Sequence, residues 1–383
     1  MRTAIVNWDY LKFYQEIPIS WALSLTRTRR PPDPDTRDVL IVNPCLVGEF
    51  AASALAMGDF IRRNPGRAID LVVSPPLRAL AERIRGVRRV YVARSLYQRR
   101  NEGGRNEGGR DEGDRAAQEV GSYHRVMAMR ASVDAYRLMR RIRTGEMRTN
   151  ARRLISYGWH LSRCMRLRRT PRSWSEVCFG MLGGTPVPLG FDDIFAFGED
   201  ERLAAAARPE LRGSGRRILI HTNASWITKC WPLDNWVALL ARLHALADIV
   251  FVFVGHGAEA EREHAYIAAR LPFQTASLIG EIGLHDLLLV MRHCDYFLGV
   301  DSGPANLAHL ADLPSVKLLG PAPHMYNPPN ARDIAVDRSN GRGILEHYLA
   351  VRNPIVERIT VDDAYDAFAA LFATVSAAPG PRG

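Results

Sequence analysis

The chain has 383 residues, 47% hydrophobic and 24% charged, enough for two domains with separate cores and unlike a disordered or collagen-like polymer. A formal charge of +10 points to an anionic partner: nucleotide, phosphorylated glycolipid, membrane surface or nucleic acid. The five cysteines form no C-x-x-C pair and the histidines no H-E-x-x-H motif, so neither a disulfide framework nor a metal site is implied, and a reducing cytoplasm is the expected compartment.

Residues 1–37 carry Trp8, Tyr10, Phe13, Tyr14 and Trp21, then the proline-rich RTRRPPDPDTRD, and read as an extension and linker. The run Ile17 to Leu25 is too short to span a membrane and contains Pro18 and Trp21 without a small-residue cleavage site. Asp38 to Asn43 predicts a buried first strand, Phe50 to Arg62 a helix, Ala68 to Val73 a strand, Leu77 to Ile84 a helix and Val87 to Val92 a strand. Open parallel sheets bind ligands beyond the carboxyl ends of their strands, which makes Glu49, in the loop after the first strand, a candidate for chemistry. The same residue also suits a plain role as an acidic first-turn residue that favours the helix dipole. The tandem repeat NEGGRNEGGRDEGDR buries no apolar surface and predicts a disordered insertion over 97–117.

From Tyr123 to Arg172 the only acids are Asp134 and Glu146. Leu154, Tyr157, Leu161 and Met165 share one helix face while Arg152, Arg153, Arg163, Arg166 and Arg169 lie largely elsewhere, a basic amphipathic helix. Three readings stay open: a solvated face in an Arg-rich composition, a surface for anionic lipid or phosphorylated sugar, and a nucleic-acid contact. The last lacks any zinc-finger, KH or RNP pattern.

Ser173 to Gly184 predicts the last helix of the first domain, with a linker over 191–215. A second α/β domain then opens with the strand Arg217 to His221, followed by the loop HTNASWITKCWP. Helices are expected over Leu233 to Leu246, Glu259 to Leu271 and Leu284 to Cys294, and strands over Ile249 to Val254 and Tyr296 to Val300. Asp301-Ser302-Gly303-Pro304 stops the last strand and starts a helix. Ser302 suits the N-cap, Pro304 the first turn, and Leu307, Leu310 and Ala311 the inward face. The strand Ser315 to Leu319 closes a βαβ unit whose helix N-terminus suits phosphate, or which holds no ligand at all. Lysine occurs only at Lys12, Lys229 and Lys317, so Lys229, in a polar loop beyond a strand, is a candidate phosphate partner; the alternative is a stray surface residue. Gly255-His256-Gly257 is a weak turn signal, and His221, His256 and His309 read as structural. Asp362 to Phe372 predicts a terminal helix, and 376–383 a frayed tail.

The run DSGPANLAHLADLPSVKLLGP and the loop His221 to Pro232 resemble the signatures of glycosyltransferase family 9, the ADP-heptose lipopolysaccharide heptosyltransferases. Two positions depart from that pattern: Asn306 stands where the family has His, and Gly48-Glu49 where it has Gly-Asp. The resemblance implies a GT-B-like α/β fold of two Rossmann-like domains facing across a cleft, an acceptor-side domain over 38–190 and a nucleotide-sugar domain over 216–375. It implies Glu49 as catalytic base, Lys229 on the diphosphate, Ser225 and Thr228 as hydroxyl donors, and Glu259, with Glu261 as second choice, on the ribose. Asp301, Ser302, Gly303 and Asn306 complete the implied donor site, and Trp231-Pro232 set up the next helix. The implied activity is inverting, metal-independent sugar transfer without cofactor, from a nucleotide sugar such as ADP-heptose to a glycan or glycolipid of the lipopolysaccharide core. The enzyme is expected in the cytoplasm, with contact to an anionic membrane surface and none to nucleic acid. The alternatives are a non-catalytic sugar-nucleotide-binding scaffold and an Arg-rich nucleic-acid or membrane-surface module.

Overall fold

The structure, a computed structural model, describes residues 17–19, 21–22, 37–94, 121–130, 132–167, 172–224, 227–320, 332–339 and 355–377. The expected insertion, most of the N-terminal extension, Ser225 and the end of the C-terminal tail lie outside these residues. The chain divides into two compact units, one built from Asn7–Arg163 and Trp174–Ala196, the other mainly from Phe197–Gly383.

The first unit holds a five-stranded parallel sheet of β1 (Arg37–Asn43), β2 (Ile69–Val73), β3 (Val87–Val92), β4 (Tyr123–Ala128) and β5 (Thr144–Thr149), in the order β3-β2-β1-β4-β5. Val39 to Val42 of β1, and β2 apart from Asp70, are apolar and buried on both faces, as parallel strands between helical layers must be. The 16-residue helix α1 (Val47–Arg62) follows β1 and is buried from Phe50 to Phe60 but for one half-buried residue, Leu55. Where Leu77 to Ile84 predicted a helix, the chain makes a 3-10 turn, Pro75–Leu77, and a single turn α2 (Arg78–Ala81). Leu77, Leu80 and Ala81 still face the core, so the apolar spacing is used with less regular backbone.

Two strands not expected from the sequence, β4 and β5, extend the sheet beyond β1, with α3 (Val133–Arg141) between them. Helix α4 (Ala151–Leu167) buries Ala151, Leu154 and Tyr157 and exposes Arg152, Ile155, Ser156, Trp159 and Arg163. α5 (Trp174–Met181) packs on α1. The short α6 (Phe191–Ile194) then ties back to the α2 region, where the Arg85 amide donates to the Ile194 carbonyl at 2.8 Å.

The second unit opens with α7 (Glu199–Ala206) and builds a six-stranded sheet of β6 (Arg216–His221), β7 (Ile249–Phe253), β8 (Ala276–Ser277), β9 (Tyr296–Val300), β10 (Ser315–Leu319) and β11 (Asp333–Asp337), in the order β11-β10-β9-β6-β7-β8. Every pairing is parallel. The connecting helices are α8 (Leu233–Leu246), α9 (Ala258–Ala268), α10 (Leu284–Arg292) and α11 (Gly303–Leu310), and α12 (Val361–Ala377) packs on α8 and β10. Trp236, Leu239, Leu240 and Leu243 lie on one side of α8 and are fully buried, each contributing about 1.5–3 kcal/mol of apolar burial.

Candidate functional site

Each sheet reverses its winding once. In the first unit the chain winds outward from β1 through β2 and β3, then returns to the other side of β1 to lay down β4 and β5. In the second it winds from β6 through β7 and β8, then returns to place β9, β10 and β11. Strand order therefore reverses between β1 and β4 and between β6 and β9. At such points the loops leaving the carboxyl ends part in opposite directions and open the crevice in which α/β sheets bind ligands. Glu49 lies at the first of these places, and Thr228, Lys229, Asp301, Ser302, Gly303 and Asn306 lie at the second.

At the β6/β9 reversal, His221 pairs with Gly299, so the loops that follow emerge side by side. The first loop makes a 3-10 turn, Ile227–Lys229, and brings the buried Lys229 ammonium to within 2.7 Å of Asp301 Oδ2. Gly320, just past β10, lets this turn settle against it: a Cβ there would stand 3.1 Å from the Thr228 carbonyl oxygen and 3.2 Å from Lys229 Cα. Behind the loop, Trp231 is buried edge-on to Trp236, donates its indole N–H to the Ile359 carbonyl at 2.9 Å, and leads into Pro232, the N-cap of α8. The second loop places Ser302 at the N-cap of α11, where its hydroxyl accepts from the Ala305 amide at 3.4 Å, with Gly303 and Pro304 in the first turn. The Asn306 side-chain amide donates to the Ser302 carbonyl at 2.8 Å, which fixes it within its own helix turn. Lys229, Asp301, Ser302, Gly303 and Asn306 thus converge on one reversal, with half-buried Thr228 beside them.

Glu259 and Glu261 stand in the first turn of α9, after Gly257, whose φ of +85° suits glycine. Both are exposed, and Glu259 pairs with Arg262 on the same helix. The acid brought against the loop is Glu263, buried, with its carboxylate accepting from Thr222 Oγ1 at 2.6 Å. Burial pushes the Glu263 carboxyl above its ordinary pKa, against the lowering effect of the Thr222 bond. Among the histidines, buried His221 lies 2.9 Å through Nδ1 from the Val254 carbonyl, its pKa lowered by burial, and His309 pairs with Asp333.

At the β1/β4 reversal, Glu49 is the third residue of α1. Its Oε2 accepts from the Leu46 amide at 3.1 Å, and its Oε1 from Nη2 of Arg130, just past β4. Among the described residues no cluster of three or more His, Cys, Asp or Glu is placed to hold a metal ion.

Residues 190–343 match the profile of glycosyltransferase family 9 (heptosyltransferase), and that stretch contains both loops of the β6/β9 reversal. Over that stretch the chain is similar to the heptosyltransferases of glycosyltransferase family 9. It is 25% identical over 146 residues to lipopolysaccharide heptosyltransferase 1 of Campylobacter coli, an alignment covering 37% of this chain and 43% of that protein. The chain spans less than half the length of the curated relatives it matches. Among solved structures, a family 9 protein from Veillonella parvula aligns with a TM-score of 0.66 at 15% identity, over 88% of this chain and 98% of that one. The Escherichia coli heptosyltransferase WaaC with ADP aligns with a TM-score of 0.65 at 14% identity, over 87% and 99%. These likenesses show the fold, GT-B with two parallel-sheet α/β units.

Two residues near these loops, Glu263 and Arg130, were not among the candidates read from the sequence. Glu263 shares the buried stripe of α9 with Ala260 and Ile267, where a carboxylate is out of place unless it has a partner, and that mismatch was a usable signal. Arg130 had no such signal, being one arginine among many.

Proposed function

We propose that the chain is an inverting glycosyltransferase that moves heptose from ADP-heptose to a hydroxyl of a lipopolysaccharide core or related glycan. The observation that carries this reading is the family 9 loop set at a sheet reversal: Lys229 and Asp301 in contact beside the capped N-terminus of α11. An ammonium and free helix amides at Ser302 and Gly303 suit a diphosphate leaving group, whose growing negative charge they stabilise as the bond to the anomeric carbon breaks. With those donors in place, the proposal gives no step to a metal. Glu49 takes the proton from the acceptor hydroxyl as its oxygen attacks the anomeric carbon from the side opposite the departing diphosphate. Thr228 and Ser225 donate hydroxyls to the donor, and Glu259 or Glu261 accepts from the ribose.

α4 exposes Trp159 and Ile155 between Arg152 and Arg163, which suits a peripheral contact with anionic lipid on the cytoplasmic face of the membrane. Among the described residues no helix is long and apolar enough to cross a membrane.

One observation favours a second reading, donor binding without transfer: both Glu49 oxygens are engaged, one by Arg130 and one by the Leu46 amide. Transfer assays separate the two. With ADP-heptose and a heptose-deficient lipopolysaccharide core, the wild type is expected to transfer, and Glu49→Gln to keep ADP binding while losing roughly 100-fold or more in rate. ADP binding without transfer by the wild type would establish the scaffold reading, and an undiminished rate in Glu49→Gln would place the base elsewhere.

A further inference from the structure

We propose that Arg130 is a positioning residue for Glu49, holding the carboxylate in the orientation from which it acts; this rests on the reading of Glu49 as the base. Arg130 is the second residue past β4, and its amide donates to the Val42 carbonyl on β1 at 3.2 Å. That bond fixes it beside the strand that leads into α1. From there the side chain runs inward, with its guanidinium 5.1 Å from the centre of the Trp174 ring and one nitrogen on Glu49 Oε1. The guanidinium side chain is 1% exposed and the Glu49 side chain 12%, so the cation lies deeper than the anion.

This asymmetry bears on the role. A guanidinium removed from water is held at a large desolvation cost that only a well-placed counter-charge offsets. Its planar fork against an aromatic face leaves it little freedom to follow a moving partner. Glu49, by contrast, sits at the rim, in the first turn of α1 where the strand order reverses. The Leu46 amide fixes one carboxylate oxygen and Arg130 the other, so the plane of the carboxylate is set at two points. A glutamate has one more rotatable bond than the Gly-Asp arrangement of the family 9 pattern, and the second anchor removes the freedom this adds. Without Arg130 the carboxylate turns about the Leu46 bond and meets the acceptor hydroxyl in a spread of geometries.

The test is a double-mutant cycle on the full chain, with ADP-heptose and heptose-deficient lipopolysaccharide core as substrates. Arg130→Met is expected to lower kcat by about 10- to 100-fold, the scale of a misplaced catalytic group, with the KM for ADP-heptose within about twofold of wild type. Arg130→Lys, a point charge without the fork, should recover part of the loss. In a Glu49→Gln background, Arg130→Met should cost nothing further, because there is no base left to position. An equal loss in both backgrounds, or a change in KM alone, would overturn the proposal and make Arg130 a structural staple or a substrate contact. Should Arg130→Met not fold, Arg130→Lys carries the same cycle, and an undiminished kcat there overturns it. No transfer by the wild type, or an undiminished rate in Glu49→Gln, would remove the reading of Glu49 as base; failure of the positioning claim alone leaves the wild type active and Glu49→Gln slow.

Discussion

Lys229 carries the donor proposal, and its present partner sets the size of the effect its removal should have. The ammonium is buried and held by Asp301, so two charges in a poorly solvated place already balance one another. In the proposed donor site, a diphosphate at the N-terminus of α11 would add charge-assisted bonds to an ammonium that Asp301 already holds in place. Lys229→Ala is expected to weaken ADP binding by about 1.5–3 kcal/mol, roughly 10- to 150-fold in Kd by titration calorimetry. It should also lower the melting temperature without ligand, because Asp301 is left buried beside a methyl group. ADP affinity equal to wild type would remove Lys229 from the donor site. At this scale the sequence was informative where candidate residues are concentrated in short stretches: Lys229, Asp301, Ser302 and Gly303 stand in two short loops and were legible as candidates there. The bond between Lys229 and Asp301 was not, since it joins residues 72 apart and follows only from β6 and β9 being neighbours. Near α9 the sequence placed acids in the first turn, where Glu259 and Glu261 stand, but gave no sign of the bond that buried Glu263, one helical turn later, accepts from Thr222.

Lys317 was expected inside a strand, and it is the middle residue of β10. Its ammonium lies 3.1 Å from Asp333 Oδ2 at the start of β11, and His309 at the end of α11 lies 2.6 Å from the same oxygen. Burial alone would raise the Asp333 pKa; the Lys317 charge and the His309 bond outweigh it and hold the carboxyl below its ordinary value. A depressed carboxyl pKa contributes stability that is fully present above the unfolded value of about 3.9 and is lost as pH falls through the folded value. Lys317→Met should therefore lower stability at pH 7 by roughly 1.5–3 kcal/mol, and the gap to wild type should close as both are acidified below about pH 4. Thermal melts across pH would show this, and a pH-independent gap would mean that the mutation acts through packing instead. β11 itself escaped the sequence reading, and so did β4 and β5, for a shared reason. YHRVMA and TGEMRT bring charge into the sheet, with Arg125 and Glu146 side by side in register and joined at 2.6 Å, so neither an apolar run nor a clean alternation marks them. β1, β6 and β9, which deliver the candidate residues, are buried apolar runs and were readable as strands.

For the whole molecule the outstanding quantity is charge. A formal +10 says that anions attract the chain but not where they meet it, and an arginine-rich composition spreads that charge widely. What the structure adds is a place where charge and apolar surface coincide: Trp159 is 70% exposed on α4, one to two turns from Arg152 and Arg163 and on their side of the helix. The two forces predict different signatures. Attraction of arginines to anionic headgroups is screened as the Debye length falls from about 8 Å at physiological salt to about 3 Å at 1 M, whereas insertion of an indole into the interface is not. The full chain should therefore co-sediment with vesicles containing phosphatidylglycerol at low salt, bind phosphatidylcholine vesicles weakly, and be largely released from the former at 1 M salt. Trp159→Ala should reduce binding to the anionic vesicles by roughly 10-fold, the scale of losing one buried aromatic side chain, while ADP affinity stays at the wild-type value. Arg152→Glu with Arg163→Glu should abolish the salt-sensitive part. If Trp159→Ala binds these vesicles as wild type does, α4 is not the surface that meets the lipid. If neither variant differs from wild type, the charge of α4 is a solvated face of an arginine-rich protein.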